Sequence, residues 1–84
     1  MVGKIVLSNS GRDKGKYLAV INCDENYVWV ADGKERKLET PKRKYIKHIS
    51  LTADSLNTDQ FKTNKSLKKA IAVYKDTVKF KEEP

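Results

Sequence analysis

The stretch Tyr17-Leu18-Ala19-Val20-Ile21-Asn22-Cys23-Asp24-Glu25-Asn26-Tyr27-Val28-Trp29-Val30-Ala31-Asp32-Gly33 decides the fold class. Two runs rich in β-branched and aromatic residues flank a polar break at Cys23-Asp24-Glu25-Asn26, and short alternating runs of this kind are the mark of strands. Asp32-Gly33 predicts a tight hairpin turn, because both central residues of the favoured turn need positive φ. Upstream, Ile5 and Leu7 alternate with Lys4, Val6 and Ser8. Leu18 and Val20 alternate in the same way with Tyr17, Ala19 and Ile21. The strands therefore connect locally and antiparallel, which predicts a mainly β fold, a small meandering barrel or curled sheet.

Downstream, Arg36-Lys37-Leu38 predicts the start of a return strand, Pro41 interrupts it, and Tyr45-Ile46-Lys47-His48-Ile49 resumes it. The polar stretch that follows reads as a connector with a turn of helix near Ala53 to Leu56. Thr63 or Asn64 is placed to cap a C-terminal helix. Leu67, Ala70, Ile71 and Tyr74 fall on one face of it, Lys65, Lys68, Lys69 and Lys75 on the others, and the apolar stripe is expected to pack on the barrel. A single domain results: barrel over 1–52, connector over 53–63, helix over 64–78 and a frayed tail over 79–84.

A chain of 84 residues buries only about 60 to 65% of the surface it exposes when unfolded, too little for the deep cleft most enzymes use. No nucleophile and base pairing, paired carboxylates, P-loop or dinucleotide fingerprint is present, so a non-enzymatic protein without cofactor or small-molecule substrate is expected. Cys23 is the only cysteine, which excludes an intramolecular disulfide and suits a reducing cytoplasm. It lies in an expected turn beside Asp24 and Glu25, which disfavour a thiolate. His48 is the only histidine, and no metal site is predicted. The first residues hold no hydrophobic signal core, and the longest aliphatic run, Leu18 to Ile21, is far short of a membrane span. A cytoplasmic monomer is expected.

Eighteen Lys and Arg against eleven Asp and Glu give a net charge of +7, which makes a polyanion, first of all nucleic acid, the natural partner. The charge gathers in two places. Gly11 and Gly15 bracket Arg12, Asp13 and Lys14, with Lys16 next; a glycine-shaped turn exposing amides and cations is equipment for gripping phosphate. Lys34 to His48 holds seven Lys and Arg against two Glu. Asp13, Glu35 and Glu39 interrupt this basic surface. Val28 and Val30 should face the core, which puts Tyr27 and Trp29 on the opposite face. There Trp29 either stacks a base or, the favoured reading, is covered by the helix through Leu67, Ile71 and Tyr74.

Gly3-Lys4-Ile5-Val6, then Gly11-Arg12-Asp13-Lys14-Gly15-Lys16, then the strands at Leu18 to Ile21 and Val28-Trp29-Val30 together resemble the KOW motif. More narrowly, Gly-Arg-x-x-Gly-Lys at 11–16 followed by an aliphatic strand is similar to the fourteen-e, six-e and twenty-seven-e group of large-subunit ribosomal proteins. Lys42-Arg43-Lys44-Tyr45-Ile46-Lys47-His48-Ile49 followed by Leu51-Thr52 resembles the fourteen-e pattern of a basic triplet leading to a hydrophobic residue, a basic residue and histidine. The resemblance spans residues 3 to 52, and the compact length fits a bacterial stand-alone KOW protein. It implies an SH3-like barrel that binds structured RNA, above all ribosomal RNA, with ribosome association. Carried over by position, Gly15 takes the place of the motif's glycine, with Gly11 as the other turn residue. Arg12, Lys14, Lys16, Lys42, Arg43, Lys44, Lys47 and His48 become RNA contacts, and Trp29 and Tyr45 candidates for base stacking. The alternative is a protein-interaction module of SH3-like fold linked to transcription or translation factors, working through Trp29, Tyr45 and the helix stripe.

Overall fold

Strands β1 (Lys4–Ser8), β2 (Tyr17–Cys23), β3 (Tyr27–Ala31), β4 (Lys42–Tyr45) and β5 (Ile49–Ser55) precede one long helix, α1 (Asn64–Glu82). The computed structural model describes the backbone of residues 1–82 and the side chains of residues 1–78. The strands form one antiparallel sheet in the order β4-β3-β2-β1-β5. β4 and β5 stand at opposite ends of that order, yet only the 3-10 turn Ile46–His48 separates them in sequence. The sheet must curl to bring its ends to that turn, and the fold is a small, mainly β, barrel-like domain with a helix against it.

Both faces of the sheet are used. Val6, Leu18, Val20, Val28 and Val30 are fully buried on the inner face with Ile49; burying each such side chain contributes about 1.5 to 3 kcal/mol. On the outer face Ala19 and Ala31 are covered by Leu67 and Ile71 of α1. The two small residues let the helix approach, which is why β2 reads as almost continuously apolar. Tyr17 meets Tyr74 edge to face at 5.2 Å. Thr63 caps α1, its Oγ1 accepting the Ser66 amide at 3.1 Å, and the Leu67, Ala70, Ile71 stripe is buried as the spacing predicts.

Four local expectations are corrected. Arg36-Lys37-Leu38 is loop, not strand, because its amides are taken elsewhere. Asp32 Oδ1 accepts from Lys34 and Arg36, and Asn64 Oδ1 accepts from Leu38 at 2.8 Å. Asp32-Gly33 is no tight hairpin: only Gly33 has positive φ, at 80°, and the β3–β4 connection runs over residues 32–41. Its Gly33 lies so close to the start of α1 that a Cβ would collide with the Asn64 carbonyl. Nor is Tyr45 to Ile49 one continuous strand: Tyr45 ends β4, Ile49 begins β5, and the 3-10 turn Ile46–His48 carries the chain from one end of the sheet to the other. The helical turn foreseen near Ala53 to Leu56 is displaced: β5 runs to Ser55, paired with Lys4, and the turn falls at Thr58–Phe61. Asn57 and Gln60 bond each other's amides there in a capping box.

Two further differences concern boundaries. Cys23 is not in the turn but ends β2, opposite Val28, and packs on the inner core. Helix α1 runs to Glu82, past the expected end at residue 78, and half-buried Val78 prolongs its stripe one turn past Tyr74. Glu83 and Pro84 lie outside the described residues.

Candidate nucleic-acid interface

The β1–β2 loop is a braced turn. Its neck is closed by the Ser8 amide donating to Lys16 O at 3.0 Å and the Gly15 amide donating to Ser8 O at 2.9 Å. Within it, Gly11–Asp13 makes one 3-10 turn, with Lys14 N bonded to Gly11 O and Lys16 N to Asp13 O. Gly15 has φ of 85° and nothing near the place of a Cβ, so its backbone conformation alone asks for glycine. The amides of Lys14, Gly15 and Lys16 serve the loop itself. What the loop offers outward is the exposed side chains of Arg12 and Lys14.

Beneath the loop Asp13 is 2% exposed. Its Oδ2 lies 3.3 Å from the Arg36 guanidinium and 3.7 Å from Lys44 Nζ. Lys44, 7% exposed, also donates to Ser10 O at 3.2 Å. Two cations share one carboxylate, so the base of the loop keeps one formal positive charge in excess under Arg12 and Lys14. This corrects the expectation that Lys44 contacts RNA. Strand alternation turns it inward opposite Val28, while Arg43 points out, and its ammonium holds the loop from below.

The outer face of β3 and β4 carries a chain of aromatic contacts. Arg43 lies over the Tyr27 ring at 4.8 Å from its centre, an arrangement worth about 0.5 to 1 kcal/mol at an exposed site. Tyr27 meets Tyr45, and Tyr45 meets His48, each edge to face at 5.7 Å. Trp29 is half-buried and in register with Arg43. Arg43, Lys47 and His48 on this strand and the turn after it are exposed, as is Lys42, which strand alternation places on the Lys44 side of β4. Asn9 joins this corner to the loop, its amide donating to His48 O at 2.8 Å and its side-chain Nδ2 to Ser50 Oγ at 2.7 Å.

Of the residues singled out in the sequence, Arg12, Lys14, Lys42, Arg43, Lys47 and His48 stand on the surface, on the loop, on β4 and on the 3-10 turn after it. Lys16 does so only in part. Its Nζ is bonded to Glu35 at 2.8 Å, and that bond is the main reason its pKa is raised above 10.5. Trp29 is not among the side chains packed against Leu67 and Ile71, so the cover expected from α1 falls on Ala19 and Ala31 instead. Sequence reasoning missed Tyr27 as the ring beneath Arg43 and Asp13 with Arg36 as the loop's foundation. Period-two placement of Tyr27 beside Trp29 was the available signal for the first. Nothing local marks the second, which depends on partners 23 and 31 residues away in the chain.

Among the described residues, no group of three or more His, Cys, Asp or Glu is gathered in a way that could hold a metal ion. No described helix is long and apolar enough to cross a membrane. No protein-family model matches the chain.

Proposed function

We propose that this protein is a non-enzymatic RNA-binding protein of KOW type that grips structured RNA, ribosomal RNA first, through its phosphates, in the cytoplasm and in association with the ribosome. The observation that carries the reading is the bracing of the two basic segments against each other. Lys44 and Asn9 tie the loop bearing Arg12 and Lys14 to the strand and corner bearing Lys42, Arg43, Lys47 and His48. Cations on a rigid frame lose little freedom on binding, and phosphate contacts set position and affinity without reading sequence. The Tyr27, Trp29 and Tyr45 rings beside them offer a place for an unpaired base, worth about 1 to 3 kcal/mol when stacked.

The alternative, a protein-interaction module, relied on Trp29, Tyr45 and the helix stripe. Leu67 and Ile71 are buried in the domain's own core, which removes most of that stripe from any partner. Ultraviolet crosslinking in cells, with sequencing of the attached RNA and mass spectrometry of the attached peptides, tests the choice. The expected outcome is RNA joined to residues 9–16 and 42–48. Partners that persist after RNase digestion, with no crosslinked RNA, would favour the protein module.

A further inference from the structure

The basic surface does not end at the loop. Lys16, at the foot of the loop, also lines a groove of about 170 Å³ between the 32–36 turn and α1, together with Lys34 and Lys75. A second shallow groove of about 190 Å³ continues it, with Lys34 and Lys75 joined by Lys68. Lys34, Lys68 and Lys75 are all exposed. None of the three has a carboxylate within ion-pair distance among the described residues, whose ion pairs are Lys16–Glu35, Arg36–Asp13 and Lys44–Asp13. Glu35 is occupied by Lys16. Asp32, the remaining acid of the groove, caps its own turn by accepting the Lys34 and Arg36 amides at 2.9 Å.

We infer that this groove is a second phosphate-binding surface for the same RNA, continuous with the loop through Lys16; the inference rests on the RNA-binding reading above. Lys68 and Lys75 are seven residues apart, two helical turns along one face, about 10 Å. Three cations set along a groove suit an extended chain of phosphates better than one compact anion. Lysine ammoniums are point charges without the fixed fork of arginine, which fits contact with a backbone and not with base edges. The helix thus has two faces with separate tasks: Leu67, Ala70 and Ile71 anchor it to the sheet, and Lys68 and Lys75 extend the reach of the loop.

The test uses the full chain with all three lysines changed, Lys34→Gln, Lys68→Gln and Lys75→Gln, titrated with a fully paired RNA hairpin between about 50 and 200 mM salt. Arg12→Gln with Lys14→Gln serves as the comparison. Glutamine is a good helix former and all three sites are exposed, so circular dichroism should be unchanged. The slope of log K against log salt should fall by about 2 to 3 in the triple variant, 0.7 to 0.9 for each contact removed. A triple variant that keeps the wild-type slope while the loop variant loses its share would overturn the inference and leave the RNA reading standing. A wild type whose affinity is flat in salt would overturn both. Tighter binding of poly-glutamate than of the hairpin, weakened by the same three changes, would reassign the groove to an acidic protein and overturn the inference.

Discussion

The carboxylate of Asp13 lies 3.7 Å from the Lys44 ammonium, with both side chains almost sealed from water. The pair joins the β1–β2 loop to β4, and it turns two residues of a basic surface pattern into a foundation. Removing one partner of a buried ion pair strands the other, at a cost of about 3 to 5 kcal/mol. Asp13→Ala, which strands Lys44 and Arg36 together, should cost that much in urea unfolding. Lys44→Met leaves Asp13 with Arg36 and should cost about 1 to 3 kcal/mol, the scale of one lost buried hydrogen bond. The double variant should cost less than the sum of the two.

The glycines separate by surroundings. Gly33 and Gly15 both have positive φ, but a Cβ on Gly33 meets the backbone at the start of α1, with Lys68 N only 2.9 Å away, whereas one on Gly15 meets open space. Gly15→Ala should cost about 1 to 2 kcal/mol, the left-handed penalty alone. Gly33→Ala should cost about 2 to 4 kcal/mol, since the clash adds to that penalty. Thermal unfolding of the two variants side by side checks the order.

Alkaline pH should loosen the contact of α1 with the sheet. Burial first, and the bond to Asp54 at 3.0 Å as well, hold the Tyr74 phenol above the ordinary value of 10.0. A group whose folded pKa is raised contributes its stability below the unfolded value and loses it as pH rises through the folded one. Stability should therefore fall above about pH 10, and Tyr74→Phe should remove part of that fall. Spectrophotometric titration of the wild type should show a late-ionising tyrosine that the variant lacks.

Glu35 restrains Lys16, at the joint between the loop and the helix groove. Glu35→Gln removes a negative charge and releases an ammonium, so RNA affinity at low salt should rise several-fold and the salt slope should steepen by about one contact's share, 0.7 to 0.9. Because the pair is exposed, unfolding free energy should change by less than about 1 kcal/mol. Isothermal titration at two salt concentrations, with a urea curve, reads both quantities.

The elements most legible in the sequence were those with a period. β3 follows from alternation, β2 from its nearly continuous apolar run, which is buried on both faces, and α1 from its 3.6-residue stripe. The Arg36 to Tyr45 region was not legible. The Arg36 and Leu38 amides are satisfied by Asp32 and Asn64, and a propensity reading has no view of a partner 26 residues downstream. The acids that seemed to interrupt the basic surface have a common explanation. Asp13 pairs with buried Lys44 and part-buried Arg36, Glu35 holds Lys16, and Glu39 accepts from Asn64 Nδ2 at 2.8 Å. Lys42-Arg43-Lys44 looked like one basic triplet, and only the turn of the strand divides it into outward and inward members.

The central claim is that exposed cations of the loop and the braced strand bind RNA through phosphate. The most direct measurement is the salt dependence of binding to a paired RNA hairpin for the wild type and for Arg12→Gln with Lys14→Gln, Arg43→Gln and Lys47→Gln, all four on the surface. The prediction is a variant that unfolds like the wild type, binds more weakly, and loses about 0.7 to 0.9 of slope for each contact removed. A wild-type affinity indifferent to salt, or a folded variant that keeps the wild-type slope, would contradict it.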